Sequence, residues 1–149
     1  MEIRKVLVIG SGTMGNGIAH VFAQSGFQVY LFDAFEAAIG KAIFTIDKNL
    51  ARLLKKGKIT EDEIKATLAN IKPTYKLEDA ADADFAIEAA TENKQIKFDL
   101  FKKLDEMLAS DAILASNTST ISITEIAAKT KRPDKVIGMH FMNPVPMMK

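Results

Sequence analysis

There is no cysteine in the sequence, so disulfides, thiolate nucleophiles and Cys-based zinc sites are excluded. The absence is compatible with a reducing cytosol. Histidine is scarce too. His20 falls inside an apolar-periodic run, and without a second well-placed histidine beside His140 neither metal chemistry nor a Ser-His-Asp triad has support. No charge of one sign prevails: 20 Lys and Arg face 19 Asp and Glu, and a net charge of +1 calls for neither nucleic acid nor an anionic surface as partner. Long apolar runs are missing. After Met1-Glu2-Ile3-Arg4 the chain enters a run far too short for a signal segment or a membrane span, so the cytoplasm is the expected location and no membrane partner is expected. There is no low-complexity tract, no linker and no repeat beyond an alternation of strand and helix. With 149 residues and 48% apolar content, the chain reads as one domain, residues 1–149, able to bury a core.

What is present is concentrated between Lys5 and Asp33. Lys5-Val6-Leu7-Val8-Ile9 is short, apolar and rich in β-branched residues, which suits a strand buried on both faces. Gly10-Ser11-Gly12-Thr13-Met14-Gly15 follows at once. Ile18, Ala19, Phe22 and Ala23 then recur at helical spacing, with Gly26 as a stop. Phe27-Gln28-Val29-Tyr30-Leu31-Phe32 is a second apolar run, closed by Asp33. Strand, glycine turn, helix, strand and acid is the order that a dinucleotide needs. Gly10 permits a tight turn, Gly12 lets the backbone approach a diphosphate, and Gly15 lets helix and strand pack together. The free N–H groups and the positive end of the helix, around Thr13 and Met14, would face the phosphates. Asp33 stands where a carboxylate accepts hydrogen bonds from ribose hydroxyls and repels a 2′-phosphate, which favours NAD over NADP. An exposed acid that merely ends a strand is the plainer alternative for Asp33.

The remaining chain continues the alternation. A long helix is expected from Ala34 to Gly57, through Ala38, Ala42, Ile43, Ile46, Leu50, Leu53 and Leu54. Thr60 with Glu63 forms a capping-box pattern that starts a second helix to about Asn70. Pro73 ends that possibility, and Thr74-Tyr75-Lys76 suits a short strand. Residues 78–82 are acidic and helical for one turn at best. Phe85 to Ala90 is the next strand, and Asn93 to Leu108 an amphipathic helix through Ile96, Leu100, Leu104 and Leu108. A strand at Ala112 to Ala115, a short helix at Thr124 to Ala128 and a strand at Lys135 to Phe141 complete the pattern. It predicts an α/β fold of Rossmann type: a doubly wound, mostly parallel sheet, with a helical pair at about 35–70 inserted after the second strand.

Polar residues gather at the C-terminal ends of the expected strands, where ligands of open α/β sheets bind. They are the glycine loop, Asp33, Ala90-Thr91-Glu92, Ser116 to Ser119, and His140 to Asn143. His140 can lie beside a nicotinamide and exchange a proton with a hydroxyl or carbonyl; a packing or capping histidine is the competing reading. Ser119 and Asn117 can hydrogen-bond a substrate oxygen or the nicotinamide ribose, or can serve as ordinary turn residues. Lys55-Lys56-Gly57-Lys58 can hold a phosphate-bearing ligand, or can be a solvated helix end.

Three segments together resemble the NAD-binding domain of the L-3-hydroxyacyl-CoA dehydrogenase family, most closely its bacterial members acting on 3-hydroxybutyryl-CoA. They are Val8 to Gly15, Ile113 to Ser119, and Gly138-Met139-His140-Phe141-Met142-Asn143-Pro144-Val145-Pro146, within a match that runs from Val6 to Lys149. The resemblance implies an NAD-dependent oxidoreductase of fatty-acid and butyrate metabolism that interconverts a 3-hydroxyacyl-CoA and the 3-oxoacyl-CoA. It implies His140 as the catalytic acid–base and Ser119 as the contact to substrate oxygen and cofactor. Asn117 and Asn143 would line the nicotinamide side, Glu92 and Lys97 would contact the cofactor, and Asn49 and Lys56 would touch CoA. The family more commonly has serine at the position of Asn49.

In that family a glutamate that orients the histidine follows just beyond this point, and a C-terminal helical domain then supplies dimer contacts and much of the acyl pocket. The expectation is therefore a truncated chain that binds NAD with little or no turnover, its longer form being a homo-oligomer. An autonomous NAD-binding module without catalysis is the alternative, although a pure sensor has no need of His140 and Ser119. Other β-hydroxyacid dehydrogenases share the first domain but place a catalytic lysine in a later helix, and the His140 to Pro144 run argues against them.

Overall fold

The computed structural model describes residues 3–89, 93–117 and 123–139. The chain opens with strand β1, Lys5–Ile9, then helix α1, Thr13–Gln24, and strand β2, Gln28–Phe32. The helical pair follows as α2, Glu36–Lys55, and α3, Glu61–Ala69. Strand β3 is Ile71–Thr74, and a single 3₁₀ turn, Leu77–Ala80, leads to strand β4, Phe85–Glu88. Helix α4, Lys94–Met107, strand β5, Ile113–Ser116, helix α5, Ile123–Ala128, and strand β6, Val136–Gly138, complete the described chain.

The strands form one six-stranded sheet in the order β3-β2-β1-β4-β5-β6, and every neighbouring pair is parallel. The expected Rossmann-type sheet, with its helical pair between β2 and β3, is what forms. Alternation along β1 divides the core into two layers. Val6 and Val8 pack with Ile18, Ala19, Ile46 and Leu50 beneath α1 and α2. Leu7 and Ile9 pack with Phe101, Leu104, Leu114 and Ile126 beneath α4 and α5. Burial on both faces explains why β1 is an unbroken apolar run.

Local signals set the element ends. Glu63 N–H donates to Thr60 Oγ1 and Thr60 N–H donates to Glu63 Oε1, both at 3.1 Å, so the capping box at the start of α3 is formed in full. Asn93 caps α4 by accepting from Ile96 N–H at 3.0 Å. The other end of α4 is held from outside the helix. Arg132 donates through its guanidinium to the carbonyls of Asp105, Leu108, Ala109 and Ala112, and its Nε donates to Asp105 Oδ1 at 2.7 Å. One buried side chain thus satisfies two carbonyls at the helix end, Asp105 and Leu108, and two more just past it, Ala109 and Ala112.

Two expectations are corrected. The third strand begins at Ile71, takes in Pro73 and ends at Thr74, rather than starting at Thr74. β3 is an edge strand, where a residue without an N–H is tolerated. On α4 the buried face is Lys97, Phe101, Leu104 and Leu108, while Ile96 is 57% exposed. Leu104 and Leu108 are buried as expected, but in the first half of the helix Lys97 and Phe101 take the interior places expected for Ile96 and Leu100. No helix among the described residues is long and apolar enough to cross a membrane.

Candidate cofactor site

The register of the sheet places all six strand ends level. Thr74, Phe32, Ile9, Glu88, Ser116 and Gly138 are successive cross-strand partners, and each is the last residue of its strand. The segments that leave the sheet here therefore share one rim. Main-chain bonds stitch it together: Gly10 N–H donates to Phe32 O, Ala89 N–H to Ile9 O, Asn117 N–H to Glu88 O and Met139 N–H to Ser116 O, at 2.8 to 3.0 Å. The winding of the chain reverses between β1 and β4, which puts a topological switch point beside the glycine loop.

Each glycine of the loop has a separate structural reason. Gly10 takes a φ of +102°, which side-chain-bearing residues rarely adopt. A Cβ on Gly15 would lie 1.6 Å from the carbonyl oxygen of Gly10, so helix and strand meet there at a distance only glycine permits. A Cβ on Gly12 would meet no atom within 4 Å. Protein packing does not require that glycine, and the room in front of it is open to a ligand. Gly12 is also the N-cap of α1, where no side chain accepts a hydrogen bond and no acid stands in the first turn. The leading N–H groups of α1 have no intrahelical partner and sit at the positive end of the helix.

Asp33 lies beside this loop, fixed by three hydrogen bonds. Ser11 N–H and Ser11 Oγ donate to Oδ2 at 2.9 and 2.7 Å, and Phe35 N–H donates to Oδ1 at 2.9 Å. Partial burial pushes this carboxyl up, but the bonds from Phe35 and Ser11 outweigh it and hold it below the ordinary carboxylate value. The side chain is an ionised acceptor with its position set before any ligand arrives. An open cleft of about 510 Å³ runs from the loop to α2. Ser11, Gly12, Thr13 and Asn16 form one wall and Asp33 and Phe35 the end. Lys41, Thr45 and Asn49 form the α2 side. Glycine cradle, uncapped helix and fixed acid suit a dinucleotide's diphosphate and ribose.

The expected residues fall into three groups. Gly10, Gly12, Thr13, Gly15, Asp33 and Asn49 come together at the loop and cleft. Met14 is half-buried against the core layer under α1, so its contribution to the loop is its backbone. Lys56 is exposed at the end of α2, and Asn117 is half-buried at the rim. Lys97 is enclosed rather than open to the cleft: its Nζ lies 2.8 Å from Glu88 Oε1, and both side chains are fully buried. Glu92, Ser119, His140 and Asn143 lie outside the described residues.

Sequence reasoning passed over Lys41, Glu88 and the side chain of Ser11, and it named Ser116 only as part of the polar segment 116–119. Ser11 occupies a spacer position of the glycine motif, and nothing local reveals that its hydroxyl reaches Asp33. Glu88 carried the signal that singled out Asp33, an acid closing an apolar strand, and could have been found by it.

A parallel, doubly wound sheet with this glycine turn and fixed acid defines a Rossmann-type dinucleotide-binding domain. Residues 5–149 match the family model described as "3-hydroxyacyl-CoA dehydrogenase, NAD binding domain". The chain belongs to that family, and NAD is its cofactor. Among its relatives, the 3-hydroxybutyryl-CoA dehydrogenase of Clostridioides difficile is 53% identical over 145 residues, which cover 97% of this chain and 52% of that protein. The (S)-3-hydroxybutyryl-CoA dehydrogenase of Ralstonia eutropha superposes with a TM-score of 0.95 at 47% identity, covering 99% of this chain and 52% of that one. The 3-hydroxybutyryl-CoA dehydrogenase of Escherichia coli gives a TM-score of 0.97 at 44% identity, covering 100% and 32%. The chain spans about half the length of the curated 3-hydroxybutyryl-CoA dehydrogenases it matches.

Proposed function

We propose that this chain is the NAD-binding part of an oxidoreductase that interconverts a 3-hydroxyacyl-CoA and its 3-oxoacyl-CoA, with 3-hydroxybutyryl-CoA as substrate. The observation that carries the reading is the level rim, with the glycine loop, the uncapped start of α1 and the fixed Asp33 on one side of the switch point. The names of the relatives support the substrate class.

NAD supplies the hydride acceptor. The loop amides would hold its diphosphate, and Asp33 would accept from the adenosine ribose while its charge repels a 2′-phosphate. His140 would take the 3-hydroxyl proton as hydride leaves C3, and would return it in the reverse direction. Ser119 would hydrogen-bond the substrate oxygen and the cofactor. Asn117 and Asn143 would line the nicotinamide side, Glu92 would contact the cofactor, and Lys97 would act from beneath the rim. Asn49, in the cleft, and Lys56, at the end of α2, would meet CoA. On this reading residues 1–149 are one cytoplasmic domain of a longer homo-oligomeric enzyme, and alone they bind NAD with little or no turnover.

Titration with NADH and NADPH tests the cofactor assignment. NADH is expected to bind the more tightly, and Asp33→Ala should weaken it and erase the preference. Equal affinities in the unaltered chain, or no change in the variant, would remove Asp33 from the site. Oxidation of 3-hydroxybutyryl-CoA by the 149-residue chain at the rate of an ordinary dehydrogenase would overturn the expectation of low turnover.

A further inference from the structure

Beneath the other half of the rim lies a charged cluster that the cleft does not use. Glu88 and Ser116 are cross-strand partners at the ends of β4 and β5. Ser116 Oγ donates to Glu88 Oε1 at 2.9 Å, Lys97 Nζ donates to Ser116 Oγ at 3.3 Å, and Lys97 Nζ lies 2.8 Å from Glu88 Oε1. All three residues are 0% exposed.

Stability does not account for this arrangement. Both charges lose their water, and an apolar pair of similar volume would hold the strands as well or better. Lys97 also sits in the first turn of α4, where the helix presents its own positive end and a cation is disfavoured. The position is informative instead. The switch point divides a dinucleotide between the two sides of β1. With Asp33 on the β2 side, the nicotinamide half would extend toward the ends of β4 and β5, the strands that carry Glu88 and Ser116.

We infer that Glu88, Lys97 and Ser116 form a charge-balanced floor under the nicotinamide, and that Glu88 is a positioning residue that sets how the domain divides its affinity between the oxidised and reduced cofactor. The inference rests on the NAD site proposed above. The oxidised ring carries a positive charge and the reduced ring does not, so the field of the floor acts on one form only. Glu88 cancels the ammonium that would otherwise repel the oxidised ring, and Ser116 bridges the two so that neither charge swings away. The backbone of Glu88 takes part as well, since its carbonyl holds Asn117 N–H at 2.8 Å.

Equilibrium titration of the 149-residue chain with NADH, by cofactor fluorescence, and with NAD⁺, by displacement of NADH, tests this. Glu88→Gln keeps the shape and removes the negative charge; its preference for NADH over NAD⁺ should rise about tenfold, the effect of one unbalanced charge at this range. That corresponds to about 30 mV in the two-electron potential of the bound cofactor. Lys97→Met should move the ratio about as far toward NAD⁺, and the double variant, again neutral, should return it toward the starting value. Partial unfolding scales both affinities alike and cancels in the ratio, a readout that a purely structural role would leave unmoved. Should Glu88→Gln fail to fold, Glu88→Asp, which retracts the charge by one methylene, should shift the ratio in the same direction by less. Ratios equal across the folded variants would overturn the inference. Failure of the unaltered chain to bind either nucleotide would instead overturn the NAD site on which it stands.

Discussion

The two glycines at the start of α1 are equally invisible as side chains and opposite in their structural demands, and substituting each by alanine separates fold from ligand. In Gly15→Ala the new methyl would sit 1.6 Å from the Gly10 carbonyl oxygen and 2.5 Å from its carbon. Real Cβ contacts do not fall under 3.0 Å, so the gap to the oxygen must nearly double. Both atoms are backbone, and no side chain can swing aside. The loop must therefore separate from the helix, at a cost of about 3 kcal/mol, the upper range for overpacking. For a domain of this size that lowers the melting temperature by roughly 6–12 °C. In Gly12→Ala the methyl meets nothing within 4 Å, and φ is an ordinary −69°. The melting temperature should stay within about 2 °C of the original, the effect of ~0.5 kcal/mol for an unstrained surface change. The methyl nevertheless occupies the approach of the diphosphate, and NADH affinity should fall about tenfold or more, the loss of some 1.4 kcal/mol. Thermal melts by circular dichroism and NADH titrations on both variants check the contrast. A Gly12→Ala protein that melts far lower yet binds NADH normally would refute the reasoning, as would a Gly15→Ala protein of unchanged stability.

Two further outcomes follow from buried polar groups. Arg132→Ala leaves the last carbonyls of α4 and the carboxylate of Asp105 without their shared donor, and should destabilise the domain by about 3 kcal/mol in denaturant melts; a change below about 0.5 kcal/mol would show that water replaces the guanidinium at no cost. His20 is fully buried, and burial lowers its pKa from the ordinary 6.5 more than its hydrogen bond with Gln24 raises it. The unfolded chain therefore takes up a proton at a higher pH than the folded one, and stability is lost as pH falls below about 6.5. His20→Gln should flatten the melting temperature between pH 7 and pH 5.5, and an unchanged slope in that window would clear His20 of the effect.

Much of the fold was legible because its signals are local. β1 is a continuous apolar run because both faces of that strand are covered, and the spacing of the glycines fixes the turn that follows. The Thr60–Glu63 box likewise needs only its own four residues. What escaped depends on partners far along the chain. The resemblance offers Lys97 as a cofactor contact, and nothing local shows that Glu88 and Ser116, from two different strands, enclose it in the interior. With Lys97 inside, Ile96 faces outward, and only the first half of the stripe of α4 differs from its sequence pattern. Nothing in the sequence singles out Arg132, whose partners at the end of α4 lie more than twenty residues away along the chain. Pro73 signals the end of a helix in the sequence, yet at a sheet margin it is part of the strand that follows. Of the site, the loop and Asp33 were visible as a motif. The Ser11 hydroxyl that holds Asp33 was not, because a spacer residue in a pattern carries no sign of what its side chain reaches.

The placement of Pro73 bears on how copies of this chain can meet. A parallel sheet grows by recruiting a stranger's backbone to an unpaired margin, and among the described residues this sheet offers two poor templates. One is a four-residue strand interrupted by an imino acid, and the other is only three residues long. Among the described residues, neither margin is therefore the flat, uninterrupted template from which runaway strand-to-strand growth starts.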